Sequence, residues 1–271
     1  MAVLRVPGHL LQLAPPDLID FMKTIPTLII PHYNRAELTA RCLNSIDYPV
    51  GQLVLILNGG PESCWDLIGH AARSKARLVD RLTVIHHPNA GVAGAWNEGI
   101  KLFPAPWWLI VNNDIQFAPG DLERMSAAVE STHAFSAHGP GIYYGNHGAS
   151  WFALTADCVA QAGLFDENIY PAYLEDCDYA RRCDLLGIIR ANVDGCQAVH
   201  GEPVQPGSCT VNATPELAQK NCRTHGGNHE YYRAKWGGSN GQERYLTPFN
   251  EPHWPVDFWR FEPARRAAQQ W

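Results

Sequence analysis

Four groups of residues stand out for the chemistry their types allow. Asn112-Asn113-Asp114 follows the apolar run Trp107–Val111. A carboxylate at a strand end can hold Mg2+ or Mn2+, hard ions that take oxygen ligands and also accept phosphate oxygens. The same three residues also favour a plain turn. Glu175, Asp176 and Asp178 open a helical stretch. There the helix dipole favours acids, and a general base held near a cation would have the same composition. His200 closes an apolar stretch from Cys196, where a histidine is either a core residue or a metal ligand. Asn89-Ala90-Gly91-Val92-Ala93-Gly94-Ala95-Trp96-Asn97 brings glycines into a helix start, a place where backbone can approach a phosphate or a sugar. It lacks the spacing of the dinucleotide fingerprint.

The elements that must position these groups follow from periodicity. Thr27–Ile30, Leu53–Leu57, Leu82–His86 and Trp107–Val111 read as buried strands. Ala36–Ile46, Cys64–Ala76 and Gly94–Phe103 read as helices between them. Such alternation predicts a parallel sheet wrapped by helices, with ligands beyond the carboxyl ends of the strands. Three polar loops, at Tyr33-Asn34, Asn58-Gly59 and Asn112–Asp114, should gather at that edge. Further on, Gly148–Thr155 reads as a strand, Asp157–Ala162 and Leu174–Leu186 as helices, and Ile188–His200 as holding one more strand. Pro215–Trp236 reads as a helix broken near Gly226-Gly227. Residues 1–24 form an N-terminal arm with a short helix near Asp17–Lys23. The tail from Pro248, with Trp254, Trp259, Arg260, Arg265 and Arg266, should wrap over the domain, either as plain surface packing or along the border of an acceptor site.

The totals narrow the class. The 271 residues are 46% apolar and 18% charged, enough for a sizeable core. A net charge of −6 argues against a protein built to hold nucleic acid through its phosphates. The eight cysteines contain no C-x-x-C pair, which argues against a zinc site. Their irregular spacing fits free thiols in a reducing compartment, so a cytoplasmic location is expected. No apolar run is long enough to span a bilayer, and the N-terminus carries no secretory pattern.

In order and spacing, these segments resemble the family 2 glycosyltransferases of the GT-A fold. The likeness runs from TLIIPHYNR (Thr27–Arg35) through NAGVAGAWNEGI (Asn89–Ile100), Asn112-Asn113-Asp114, the Gly148–Phe152 loop, Gly163–Glu167 and Glu175-Asp176 to His200. The resemblance implies an α/β GT-A fold, with a Rossmann-like, mostly parallel sheet flanked by helices and a C-terminal extension. It divides the chain into a catalytic domain over 25–210 and an extension over 211–271 packed on it. It implies an inverting transfer from a nucleotide-sugar donor, with Mn2+ or Mg2+ held by Asp114 and His200. Donor contacts fall on Pro31, Tyr33, Asn34, Arg35, Asn58, Asn89, Gly91, Asn97, Asn112 and Asn113. Asp176 becomes the base and Glu175 a donor or acceptor contact, while Asp178 is a structural acid pairing with Arg181 or Arg182. The family's second strand usually ends in an Asp that reads the base; Leu57 stands there instead, so the donor base is left open. The acceptor, whether glycan, lipid-linked sugar, protein or modified nucleobase, is also open. Two alternatives remain. One is a nucleotidyltransferase, disfavoured because Pro31–Arg35 has no glycine and one arginine. The other is a nucleotide-sugar-binding module that has lost its chemistry.

Overall fold

The structure, a computed structural model, describes residues 24–59, 65–75, 77–135, 139, 141–202, 205–207 and 209–253. The expected arm helix and the tail residues Trp254 to Arg266 lie outside these, as does Cys64. The first half lays down β1 (Ile25–His32), α1 (Ala36–Asn44), β2 (Val50–Asn58), α2 (Trp65–Ser74), β3 (Val79–His87), α3 (Gly91–Leu102) and β4 (Trp107–Val111). Then come β5 (Ile115–Gln116), α4 (Asp121–Phe135), β6 (Ile142–Gly145), β7 (Gly148–Thr155), α5 (Ala156–Ala162) and α6 (Glu175–Leu186). The remainder holds β8 (Arg190–Asn192), β9 (Val199–Glu202), β10 (Gln205–Pro206) and α7 (Pro215–Trp236).

A seven-stranded sheet has the order β3-β2-β1-β4-β7-β6-β8. The pairs β3-β2, β2-β1, β1-β4 and β6-β8 are parallel, and β7 runs antiparallel to both of its neighbours. Both faces are covered, which is why β1, β2 and β4 read as continuous apolar runs rather than alternating ones. Leu28, Ile30, Leu53, Leu55, Leu109 and Val111 pack with α1, α2 and α4. Ile29, Val54, Ile56, Trp108 and Ile110 pack on the other side with α3, α5 and α6. The chain runs from β1 outward through β2 and β3, then returns to place β4 on β1's other side. The gap between β1 and β4 is thus a topological switch point, where the loops diverge and leave a crevice.

Three differences from the sequence reading have physical causes. First, α4 and the strands β5 and β6 went unread. The buried apolar residues of α4 among those described are Leu122, Met125 and Val129, beside buried Asp121 and Ser126, too diluted by Ala, Ser and Glu to show a clear period. Second, the stretch Ile188–His200 holds β8 and part of β9, in different sheets; β9 joins β5 and β10 in a three-stranded sheet. Third, α7 is unbroken across Gly226-Gly227. Its start is fixed by Thr214, whose hydroxyl accepts from Leu217 N at 3.2 Å, with proline in the first turn. Asn228, fully buried, then accepts from Tyr170 N and donates to Ala172 O, so tertiary bonds offset the glycines' poor propensity.

Candidate active site

The expected gathering of loops is present. One cavity of about 240 Å³ is lined by Pro31 and His32 at the end of β1 and Tyr33 just after it, Asn58 at the end of β2, Asn89 just before α3 and Gly91 at its start. Asn112, Asn113 and Asp114 after β4 close it from the far side, and Glu175, Asp176 and His200 complete it.

Several of the polar residues act as scaffold for this crevice. Asn113 donates to Asn34 O at 3.1 Å and to Thr39 Oγ1 at 3.0 Å, and accepts from Thr210 Oγ1 at 2.9 Å. It thereby ties the β1 loop to the β4 loop across the switch point. Asn58 accepts from Ala90 N and donates to Gly91 O, fixing the loop that starts α3. Gly91 sits at φ 73°, and a Cβ there would lie 2.8 Å from Pro171 O, so only glycine lets this loop meet the 170–173 segment.

Three expected donor contacts stand away from the cavity. Asn97 is fully buried; it donates to Phe165 O and Glu167 Oε1 and accepts from Phe165 N, and so anchors the 165–167 segment. Arg35 turns to Glu202 at 2.7 Å and to Glu37, two carboxylates that claim its charge. Asn34 donates to Thr210 O at 3.0 Å. The family resemblance put these in the site; in this structure they do not line the cavity.

Asp114 and His200 come together through strand pairing. Ile115 of β5 pairs with His200 of β9, and Gly201 N donates to Asp114 O at 2.8 Å. His200 Nε2 then lies 3.2 Å from Asp114 Oδ1, while its Nδ1 is 3.3 Å from Ser150 Oγ. Asp114 Oδ2 accepts from Cys209 N at 3.3 Å. Among the described residues no third His, Cys, Asp or Glu joins them as a metal-ligand group. One carboxylate beside one imidazole fits part of the shell of a divalent ion, with room for oxygen ligands from elsewhere.

The two acids of α6 differ sharply. Glu175 is 7% exposed, and its Oε2 is buried without a partner. Burial, with Asp176 beside it, pushes its carboxyl up to about 8, so it carries a proton at neutral pH. Asp176 is less buried and accepts from Cys177 N at 2.8 Å. Their helix begins at Leu174, held at φ 78°, and its seat is a buried charge network. Asp178 meets Arg182 Nε at 3.0 Å, as a structural acid should, and also accepts from Trp236 Nε1 at 2.9 Å. Lys235 Nζ bridges Asp178 at 2.5 Å and Asp166 at 2.6 Å. Burial pushes the Asp178 carboxyl up, but Lys235 and Arg182 outweigh it and hold it below its ordinary value. All four charged side chains are fully buried.

The sequence reading passed over His32 and Lys235. His32 lay inside the quoted Pro31–Arg35 motif. It lines the cavity beside its register partner Leu57, with Nδ1 2.8 Å from Thr39 Oγ1. Burial pushes its imidazole down to about 4, so it is neutral at physiological pH. Lys235 sat in an aromatic stretch that carried no signal beyond packing.

A parallel-led sheet, a crevice at its switch point and an acid at the end of β4 define the GT-A class of glycosyltransferase folds. Residues 27–180 match glycosyl transferase family 2, and the chain belongs to that family. A galactofuranosyl glycosyltransferase of Leishmania donovani is 28% identical over 245 residues, covering 66% of this chain and 56% of the relative. The chain thus spans about half the length of that curated relative. Two solved structures share the fold. Mannosyltransferase PcManGT from Pyrobaculum calidifontis, in complex with GDP-Man and Mn2+, superposes with TM-score 0.54 at 17% identity, covering 80% of this chain and 65% of its own. S. aureus TarS 1–349 in complex with UDP superposes with TM-score 0.51 at 12% identity, covering 80% and 73%. No helix among the described residues is long and apolar enough to cross a membrane.

Proposed function

We propose that this chain is a metal-dependent, inverting glycosyltransferase that moves a sugar from a nucleotide-sugar donor to an acceptor hydroxyl, with residues 25–210 as its catalytic domain. The observation that carries this reading is the placement of two different chemical ends on one cavity. Asp114 and His200 form one end, and Asp176, on a separate helix, forms the other. The GDP-Man and Mn2+ bound by PcManGT and the UDP bound by TarS support a nucleotide-sugar donor and a divalent ion.

Asp114 and His200 would hold the ion, Mn2+ or Mg2+, which when bound supplies charge neutralisation for the diphosphate leaving group. The remaining roles belong to the chain's own groups. Asp176 takes the proton of the acceptor hydroxyl as that oxygen bonds the anomeric carbon and the bond to the diphosphate oxygen breaks. Its position on another element lets the base act opposite the leaving group, as inversion requires. Glu175 is unsuited to that task because burial keeps it protonated; a neutral carboxyl there serves as a hydrogen-bond donor to a sugar hydroxyl. The β1 and β2 ends, with Tyr33, His32 and Asn58, face the nucleoside.

The test is a thermal-shift screen of nucleotide sugars with Mn2+, followed by transfer assays in excess EDTA. At least one donor should raise the melting temperature, EDTA should abolish transfer, and Mn2+ or Mg2+ should restore it. Asp114→Ala should lose most activity and weaken nucleoside diphosphate binding. Full activity in excess EDTA would overturn the metal assignment.

A further inference from the structure

We propose that a second cavity, joined to the first at Asp176, is the acceptor subsite, and that it takes the terminal unit of a neutral glycan; this rests on the glycosyltransferase reading above. The cavity measures about 380 Å³, within the roughly 300–1,000 Å³ range of small-molecule sites. Ala149 and Asp176 line both cavities. A base shared by two cavities stands where a hydroxyl held in one meets an electrophilic carbon held in the other. The step balances there: the acceptor oxygen bonds the anomeric carbon, its proton passes to the Asp176 carboxylate, and the nucleoside diphosphate leaves with the electron pair.

The lining chooses the acceptor class. The long side chains are Tyr144, Arg181, Asp184, Arg190, Asn192, Asn240 and Glu243, with no leucine, isoleucine, valine, methionine or tryptophan among the lining residues. Planar amide, guanidinium and carboxylate groups present paired donors and acceptors that match neighbouring hydroxyls, whereas a lipid chain would need an aliphatic wall. Three carboxylates, Asp176, Asp184 and Glu243, face two guanidiniums, Arg181 and Arg190. That balance disfavours an acceptor bearing a carboxylate or phosphate. The guanidiniums are also engaged: Arg190 grips Asp184 through contacts of 2.7–3.1 Å, and Arg181 Nη2 donates to Tyr245 O at 2.9 Å. Arg181 Nε is buried with no partner, a donor still to be satisfied. Seven of the thirteen lining residues lie beyond residue 180, where the family match ends. The wall that chooses the acceptor is therefore built by the part of the chain most its own.

The experiment measures transfer from the donor found in the thermal-shift screen to three acceptor sets: methyl glycosides of neutral hexoses, methyl glycosides of hexuronic acids, and straight-chain alkanols. Neutral glycosides should be the best acceptors. In Asn192→Ala/Asn240→Ala, two exposed positions where folding is little at risk, the acceptor KM should rise about tenfold or more, with a smaller change in kcat and an unmoved melting temperature. A preference for uronic acids or alkanols, or a wild-type acceptor KM in the double variant, would overturn the subsite and leave the glycosyltransferase reading standing. A wild-type protein that neither binds nor turns over any nucleotide sugar would bring down both.

Discussion

The segment from β1 to α6 and the segment from β8 onward are built on different plans. The first holds the long strands β1, β2, β3 and β7 and an apolar core on both faces of a sheet, and many of its cavity residues sit at strand ends or at the start of α6. The second has strands of two to four residues and one helix of 22. It contributes single side chains to places the first has prepared: His200 beside Asp114, Thr210 on Asn113, and Lys235 under α6. A sheet can form a crevice from pattern alone, but the crevice gains its chemistry only when distant single residues arrive.

The largest effect should come from the base. Asp176→Asn keeps the shape and removes the basicity, so turnover should fall ~10²–10⁴-fold with donor affinity nearly unchanged. Steady-state kinetics on a working acceptor would show it; if Asp176→Asn stays near wild type while Glu175→Gln is inactive, the roles are swapped. Next comes Lys235→Met, which strips the cation from two buried carboxylates. Removing one partner of a buried pair costs about 3–5 kcal/mol, read by urea denaturation. Turnover should fall as well, because the helix carrying Asp176 loses its seat. A stable variant with full activity would break the idea that the second segment positions the first.

A smaller effect is expected at His200. His200→Ala should raise the metal concentration needed for half activity by about tenfold or more, and hardly move the melting temperature of the metal-free protein. A large metal-free destabilisation with an unchanged metal requirement would make His200 a core histidine. The mildest test is a pH slope. Burial pushes the Glu175 carboxyl up to about 8 in the folded state, from an ordinary 4.5, so between these pH values the folded state holds a proton that the unfolded state lacks. Its contribution is fully present below the unfolded value and is lost as pH rises through about 8. Stability should therefore decline with pH across that window, and Glu175→Gln should flatten the decline.

The same division explains what the sequence made legible. β4 was read to the residue, and β1 and β2 were placed within a few, because a strand covered on both faces announces itself as an apolar run; β3, at the sheet edge and mostly half-buried or exposed, was placed from its short Leu82–His86 run alone. The cavity edge followed from topology. Asn97, Arg35 and Asn34 do not line the cavity, because a motif gives order along the chain and not the direction of a side chain. Asn97 points into the protein toward Phe165, and Arg35 is drawn off by Glu202. Lys235 and His32 were missed for a related reason: each is defined by partners far away in sequence or by burial, neither of which leaves a local period. The helix across Gly226-Gly227 was misjudged because propensity was weighed without Asn228's tertiary bonds.

The buried cluster around Lys235 also sets an order of events in time. Asp166 and Lys235 are 69 residues apart, and synthesis proceeds at ~5–20 residues per second. Asp178 precedes Lys235 by only 57 residues, so for roughly 3–11 s at that rate a growing chain has both Asp166 and Asp178 in hand but lacks the cation they share. By the end of that interval the sheet and its crevice can assemble, since β8, His200 and Thr210 all precede Lys235 in the chain. The helix bearing Glu175 and Asp176 cannot take its final seat until α7 emerges. On the proposed roles, the nascent protein would therefore acquire its nucleotide crevice before its base, and a half-made chain that captured a donor would lack the means to spend it on water.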